Sequence, residues 1–128
     1  MPDKKMEDNK QNTRGVTDSE RYLNHLAQRS FLSLWSYPNL YTDDGVRNGK
    51  GDGKELCDLM VVFDNHIIIF SDKHCAFPNH PSINVSWERW FKRAVLKSSR
   101  QLFGAEAWLR KYPKQIFLDR ACTKHFPL

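Results

Sequence analysis

The sequence of residues 54–73 is KELCDLMVVFDNHIIIFSDK, and the predicted architecture depends on it. Two apolar runs, at positions 56–63 and 67–70, flank the polar pair Asp64-Asn65. The runs are rich in Val, Ile and Phe, which predicts two β-strands, and the short pair between them predicts a tight hairpin turn. Both runs are apolar on each face, so we expect a sheet that is covered on both sides.

The predicted hairpin has a definite register. If its loop has two residues, Asp58 lies opposite Ser71 and Leu56 lies opposite Lys73. Side chains alternate between the faces of a strand, so Asp58, Ser71 and Lys73 share one face, whereas Asp72 lies on the other unless a bulge rotates it. Charged groups at the ends of buried strands are costly unless they are paired, bound to a metal or used in chemistry. A catalytic Asp–Lys pair and a structural ion pair at a sheet edge both remain open.

The chain has 128 residues, enough for a single domain with a modest core, which we place at residues 17–128. Residues 1–16 are polar, charged and without periodicity, which predicts a disordered N-terminal tail. The sequence has no apolar signal segment and no run as long as a membrane span, so a cytoplasmic protein without a membrane partner is expected. The three cysteines show no CxxC pattern, which predicts thiols that pack in the fold rather than disulfides or a structural zinc site.

The net charge of +5 is unevenly distributed. Residues 84–128 hold ten Lys or Arg against three Asp or Glu, whereas residues 41–83 hold four against seven. The acidic part of the sequence therefore coincides with the hairpin, and the basic part follows it. A basic surface beside an acidic pocket suits a polyanionic substrate with a bound cation, and a solvated basic helix face without a ligand is the other interpretation.

Before the hairpin, the pattern predicts one helix and one short strand. The helix begins near Thr17, whose spacing to Glu20 is that of a capping box, and it ends before Pro38. Glu20 has two interpretations, as part of the cap or as a side chain that points into a site. A strand is predicted at residues 37–41, followed by a Gly- and Asp-rich loop at 42–53 that we expect to be flexible and exposed.

After the hairpin and a loop, the pattern predicts a long helix and a last strand at residues 115–119. Ser86 is the expected N-cap of the helix, which spans residues 87–111 and has apolar positions at helical spacing. We expect most of its aromatic residues to belong to the core rather than to act as base-stacking platforms, and Gln101 to lie close to the apolar stripe. The residues expected to contact nucleic acid from this helix are Arg89, Lys92, Arg93, Lys97 and Arg100.

The order of helix, strand, hairpin, long helix and strand, with Asp58 on the second strand and Lys73 after the third, resembles the PD-(D/E)xK nuclease superfamily. This superfamily is also called restriction-endonuclease-like. The resemblance covers nearly all of residues 17–119 and rests on a short motif together with the element order. It implies an α/β fold with an αβββαβ core, in which a mixed central sheet is flanked by helices.

Carried over residue by residue, the resemblance implies catalytic roles for Asp58, Lys73, Asp72 and Gln101, and metal binding by Asp58, Asp72 and Glu20. Asp58 matches the strand aspartate of the superfamily, and Lys73 matches the lysine that positions or activates the attacking water. Glu20 corresponds to a glutamate of the first helix. Gln101, together with the nearby Lys97, corresponds to the glutamine found in some members on the helix after the third strand.

This chain departs from the superfamily at Ser71, because the motif has Asp or Glu two residues before the lysine. The nearest acid, Asp72, is one residue late and points away from Asp58 in the regular register. Three alternatives follow: a bulge that turns Asp72 round, a metal shell completed by Ser71 and water, or a weak or inactive site.

The function implied by the resemblance is hydrolysis of nucleic-acid phosphodiester bonds, DNA favoured, by an endonuclease that depends on Mg²⁺ or Mn²⁺. One alternative is a catalytically degenerate nuclease-like module that binds nucleic acid or a protein partner. Another is a toxin- or immunity-type interaction protein, for which exposed aromatic residues would be the clue. A homodimer and a place in a larger protein both remain open.

Overall fold

The computed structural model describes residues 16–32 and 35–127. The tail predicted at residues 1–16 lies outside the described residues, except for Val16. The elements in chain order are α1 (Asp18–Phe31), β1 (Ser36–Thr42), α2 (Asp44–Arg47), β2 (Lys54–Phe63), β3 (His66–Phe70), α3 (Ile83–Phe91), a π-helical turn (Lys92–Leu96), α4 (Lys97–Lys111) and β4 (Ile116–Phe117).

The hairpin forms with the predicted register. Strands β2 and β3 are antiparallel, and Phe63 lies opposite His66 while Leu59 lies opposite Phe70. Asp64 opens the turn with φ of 53°, a left-handed conformation that aspartate tolerates better than most side chains. The pairing ends at Phe70, so the segment 71–73 continues as irregular chain beside the buried end of β2.

The expected mixed sheet is wrong for the described strands, which are all antiparallel to their neighbours in the order β3-β2-β1-β4. The last strand has two residues and pairs at the edge, with Phe117 opposite Tyr41 and Ile116 opposite Thr42. A turn leads from α4 into this strand, and the Gln115 N–H donates to the carbonyl of Tyr112 at 3.0 Å. A strand of two residues takes its direction from the point where the preceding helix ends. Strand periodicity in the sequence does not predict that point.

Helices cover the sheet on both faces, as the apolar strands predict. Leu59 packs with Ala27 of α1, whereas the next residue, Met60, packs with Ala105 of α4. Successive side chains of a strand point to opposite faces, so the two helices lie on opposite sides of β2. Burying an apolar side chain on each face stabilises the fold by about 1.5–3 kcal/mol per residue, and β2 supplies both faces.

The long helix begins one turn earlier than predicted, at Ile83, with Ser82 at the N-cap position; Ser86 is buried inside it. It then runs to Lys111 and includes the π-helical turn. At 1.5 Å per residue this rod is about 43 Å long, whereas the ten residues of β2 extend about 33 Å. Within the rod, α4 is the part that packs extensively against the sheet, on β2 and β3, so α3 lies largely beyond it.

The core position expected for the helix aromatics is wrong at Trp87 and Phe91, because they lie on the projecting segment α3. Trp87 is 56% exposed and Phe91 is 37% exposed. The Trp87 ring packs against that of Trp90, with centroids 5.3 Å apart. The indole N–H of Trp90 donates to the carbonyl of Cys75 at 3.3 Å, which ties α3 to the segment that follows the hairpin.

The loop predicted as flexible and exposed at residues 42–53 is wrong in part, because it contains α2 and ends on a buried glycine. A Cβ on Gly53 would lie 2.6 Å from the Cys122 Sγ and 2.8 Å from the Arg120 carbonyl oxygen. The Gly53 N–H also donates to that carbonyl, at 2.8 Å. Only glycine lets the two backbones approach this closely, so the first residues of β2 are fixed against the C-terminal segment.

Candidate active site

The candidate site lies beside the end of β3, at the point in the middle of β2 where the pairing of the two strands stops. Asp58 is on this strand and is only 5% exposed, and its Oδ2 accepts a hydrogen bond of 2.5 Å from the Asp72 N–H. A carboxylate buried this deeply requires polar partners, because an isolated charge in the interior is strongly disfavoured. Asp58 is therefore a buried carboxyl in the middle of β2, beside the segment that carries Asp72 and Lys73.

A second carboxyl, that of Glu55, lies beside Asp58 and was not predicted as a site residue. A side-chain hydrogen bond with Asp58 is one of the causes that raise the pKa of Glu55. In a regular strand, residues three positions apart point to opposite faces, so counting along the sequence separates Glu55 from Asp58. The pattern alone held no signal that would have joined them.

A β-bulge explains how the two acids meet. Leu40 of β1 lies opposite Cys57, but the next residue, Tyr41, lies opposite Glu55, so Leu56 is an extra residue in β2. A bulge shifts the alternation of the strand by one residue, which brings Glu55 to the face of Asp58. The bulge considered from the sequence was one that would turn Asp72; the bulge in the structure is on the other side of β2.

Three neighbouring charges act on the Glu55 carboxyl. Partial burial is the largest cause that raises its pKa, and the hydrogen bond and charge of Asp58 and the charge of Glu20 add to it, to about 7, whereas Lys73 opposes the rise. Two carboxyls that share a site cannot both ionise without a cost, so one retains its proton unless a cation intervenes. The charges of the predicted residues Asp58, Glu20 and Lys73 thus all act on a carboxyl that was not predicted as a site residue.

Gln101 reaches this group from α4, as predicted. Its Nε2 donates to Glu55 Oε1 at 3.4 Å, and its Oε1 accepts a 2.6 Å hydrogen bond from the Ser71 hydroxyl. The Ser98 hydroxyl donates in turn to Ser71 Oγ at 3.1 Å. Ser71, the position where the superfamily motif has an acid, is therefore part of a polar chain that leads from α4 to Glu55.

Glu20 takes the capping role that its first interpretation expects, and its role in a site stays a prediction. Thr17 caps α1 by accepting from the Glu20 N–H at 3.2 Å, and Glu20 Oε2 accepts from the Val16 N–H at 2.7 Å. The same oxygen lies 3.4 Å from the donor Nδ2 of Asn39 on β1. Glu20 thus closes the first turn of its helix and adds negative charge at the rim of the site.

Asp72 contacts Asp58 through its backbone, and its carboxylate is not among the groups that act on Glu55. No set of three or more His, Cys, Asp or Glu side chains within residues 16–32 and 35–127 has the arrangement of a ready metal site. The three-acid set Asp58, Asp72 and Glu20 is therefore not preassembled. Metal binding by Asp72 stays a prediction.

The donor set at the site still fits a hard divalent cation. Mg²⁺ is commonly held by one or two carboxylates together with several waters, and Glu55 and Asp58 provide two adjacent carboxyls. A cavity of about 150 Å³ borders Glu55 and Gln101, with Arg100 and Lys54 also on its wall. Asp58 and Lys73 do not line this cavity, which therefore adjoins the site only at Glu55 and Gln101.

Basic side chains line a groove at the start of the long helix. Arg89, Lys92 and Arg93, with Pro78, surround a volume of about 470 Å³. Lys92 is paired with Glu88 at 2.7 Å, so part of its charge is already neutralised. All five residues predicted to contact nucleic acid from this helix are exposed, and they are Arg89, Lys92, Arg93, Lys97 and Arg100.

The cysteines lie outside this site and carry no zinc or disulfide pattern in the described residues. Cys57 is fully buried, and burial raises the pKa of its thiol to about 12, which keeps it unreactive. Cys75 and Cys122 are free thiols as well.

No protein-family model, no curated protein and no solved structure matches this chain. Among the helices of the described residues, none is long and apolar enough to cross a lipid bilayer.

Proposed function

We propose that this protein is a metal-dependent nuclease of restriction-endonuclease-like type that hydrolyses phosphodiester bonds, with DNA the favoured substrate. The observation that carries the proposal is a buried aspartate, Asp58, that interacts with a second carboxyl, Glu55, on which the charge of Lys73 also acts. Opposed helices on the two faces of an antiparallel hairpin, with the site at the end of that hairpin, support the same assignment.

The chemistry that these residues would perform follows from their charges. Asp58 and Glu55 would hold Mg²⁺ or Mn²⁺, which when bound neutralises phosphate charge and lowers the pKa of a water. The Lys73 ammonium lies close enough to act on the acids electrostatically, and it would stabilise negative charge that develops on the phosphate in the transition state. The exposed arginines of α3 and α4 would hold the phosphate backbone without reading sequence.

The test is cleavage of plasmid, single-stranded DNA and RNA with Mg²⁺ or Mn²⁺, with EDTA as the metal-free control. We compare the wild type with Asp58→Asn, which retains an acceptor for the Asp72 N–H but loses the charge. Cleavage should require metal and fall in the variant by more than the roughly 10–100-fold that loss of an outer-shell partner costs. EDTA-resistant cleavage, or equal cleavage by the Asp58→Asn protein, would falsify the assignment.

A catalytically inactive module that binds nucleic acid or a protein partner is the second candidate, and two observations favour it. The motif position two residues before Lys73 is Ser71 rather than an acid. The helix α3 also presents large exposed apolar side chains, such as Trp87 at 56% and Ile83 at 68% exposure, which is typical of a binding surface. DNA binding in EDTA without cleavage in any metal would favour this candidate over the nuclease.

A further inference from the structure

Glu55 occupies a position that the superfamily motif does not use, and its placement depends on the β-bulge in β2. Bulges are common next to active sites, where they redirect a side chain. Here the extra residue Leu56 brings Glu55 to the side of Asp58. A regular strand with the same sequence would place Glu55 on the opposite face and leave Asp58 as the only acid of β2 in the site.

The helix α4 then fixes the orientation of the Glu55 side chain. Gln101 donates from Nε2 to Glu55 Oε1 at 3.4 Å, and an amide can do so only while its Oε1 points the other way. The Ser71 hydroxyl donates to that Oε1 at 2.6 Å, and Ser98 donates to Ser71 at 3.1 Å. The hydrogen bonds therefore run in one order of donors and acceptors, from Ser98 through Ser71 and Gln101 to the carboxyl of Glu55.

We propose that Glu55 is the second metal-binding carboxylate of this protein, in place of the acid that Ser71 lacks, and that Ser71 and Gln101 are positioning residues that hold it. The inference rests on the proposed function for the identity of the metal ion. In this proposal Ser71 has a different role from the acid of the superfamily motif, because it orients Gln101 and does not bind the ion. The proposal also assigns the side chain of Asp72 no role as a metal ligand. The Asp72 backbone N–H only donates a hydrogen bond to Asp58.

The first experiment measures binding of Mn²⁺ alone by isothermal titration calorimetry, without substrate. Glu55→Gln should weaken Mn²⁺ binding at least about tenfold, since loss even of an outer-shell partner costs roughly 10–100-fold. Glu106→Gln is the matched control, because it removes an exposed acid of α4 that is paired with Arg110 and has no role in the site, and it should bind Mn²⁺ like the wild type. Equal affinity of the wild type and Glu55→Gln overturns the proposal, as does an equal loss in Glu106→Gln.

The second experiment exchanges the two positions. The double variant Glu55→Gln with Ser71→Asp restores an acid at the motif position, and it should recover much of the Mn²⁺ affinity that Glu55→Gln loses. If the double variant does not recover Mn²⁺ affinity, an acid at position 71 cannot replace Glu55, and the proposal that Glu55 stands in for the acid of the motif is wrong. Circular dichroism melts of each variant verify folding, which Glu55→Gln should retain because the substitution is isosteric and the residue is exposed.

The positioning role has its own pair of variants. Ser71→Ala removes the hydroxyl that fixes Gln101 and should weaken Mn²⁺ binding by about tenfold, whereas Ser71→Thr keeps a hydroxyl and should retain most of the affinity. Equal affinities of these two variants overturn the positioning role. Because Mn²⁺ binding needs no substrate, a protein that binds Mn²⁺ through Glu55 but cleaves nothing would refute the nuclease and leave this inference standing.

The reverse result is equally distinct. Metal-dependent cleavage that requires Asp58, together with unchanged Mn²⁺ binding by Glu55→Gln, would leave the nuclease standing and refute the role of Glu55.

Discussion

The backbone N–H of Asp72 donates to the buried carboxylate of Asp58 across 2.5 Å, just beyond the last paired residue of the hairpin. This hydrogen bond joins the two strand ends after the regular ladder has stopped. A hydrogen bond to a charged acceptor contributes about 1.5–3 kcal/mol, more than one between neutral groups. The geometry makes the identity of the side chain at position 72 irrelevant to the hydrogen bond and its backbone donor essential.

Substitutions at Asp72 separate these two contributions. Asp72→Ala keeps the N–H and should leave metal-dependent cleavage near the wild-type rate, whereas Asp72→Pro removes the donor and should destabilise the fold by about 1–3 kcal/mol because Asp58 loses a buried partner. Urea unfolding and cleavage rates measure both effects. A loss of cleavage in Asp72→Ala as large as that in Asp58→Asn would return the side chain of Asp72 to the ligand set.

The raised pKa of Glu55 predicts a pH dependence of stability in a chelator. The folded state holds this proton up to a pH of about 7, against an ordinary value of 4.5, so between these values the folded protein binds more protons than the unfolded chain. The contribution of Glu55 to the free energy of unfolding therefore falls as the pH rises from 4.5 to about 7. Above that range this contribution is lost.

Thermal melts in EDTA across that pH range measure the effect as the difference between the wild type and Glu55→Gln. The Glu55→Gln substitution should reduce the decrease of the melting temperature with rising pH, because glutamine does not titrate. Mn²⁺ added above pH 7 should raise the melting temperature of the wild type, since a ligand that binds only the folded state stabilises it. Identical pH profiles of the two proteins would contradict the assignment of the raised pKa to Glu55.

Lys73 should matter for the reaction and not for binding of the ion. Lys73→Met should lower the cleavage rate by about 10²–10³-fold, the usual effect of removing one group that stabilises transition-state charge. Its Mn²⁺ affinity should not fall, because the substitution removes a positive charge near the two acids. Lys50→Met, in the exposed loop before β2, is the control and should change neither quantity; weaker Mn²⁺ binding by Lys73→Met would argue for a structural role.

The basic groove at Arg89 and Arg93 should hold phosphates. Replacing both residues by alanine should reduce the slope of log affinity against log salt by roughly 0.9 for each phosphate of duplex DNA that is no longer neutralised, with affinity falling for every sequence alike. Arg110, which is exposed but paired with Glu106 at 2.9 Å, is the matched control. An equal change in slope for Arg110→Ala would mean that general positive charge, and not this groove, binds the polymer.

The two faces of β2 should contribute comparably to stability. Met60→Ala and Leu59→Ala each remove a fully buried side chain, from opposite faces, and each should cost about 2–5 kcal/mol in the free energy of unfolding. Ile68→Ala on the edge strand, where the side chain is 45% exposed, should cost clearly less. Urea unfolding with unchanged m-values provides the comparison, and a small effect for either buried residue would contradict coverage of that face.

Strand periodicity was sufficient to predict the hairpin, its register and the burial of Asp58, because local alternation and turn chemistry set all three. Helical spacing placed Gln101 close to the apolar stripe of its helix, and only the resemblance implied a role for it in the site. Glu55 was missed because alternation is reliable only along an unbroken ladder, and the extra residue Leu56 shifts it. The sequence has no local mark for that bulge, since it arises from pairing with a strand some fifteen residues earlier in the chain.

Other differences have similar causes in tertiary structure. Ser82 and Ser86 are both good N-cap residues, and packing of the helix, not propensity, places the start at Ile83. Trp87 and Phe91 have the spacing of a core stripe, but the sheet does not extend beneath α3. Hydrophobic periodicity predicts which side chains share a face, and it does not predict whether another element covers that face.

The π-helical turn at Lys92–Leu96 sets the rotational phase between two halves of one rod. Arg89 lies before the turn, whereas Ser98 and Gln101, which hold the site, lie after it. Each residue of an α-helix rotates the chain by about 100° about the helix axis. Deleting one residue of this turn would therefore rotate Arg89 about that axis relative to Gln101, while both halves stay helical. In the proposed nuclease, the direction from which a bound strand would reach the carboxyls therefore depends on a single extra residue.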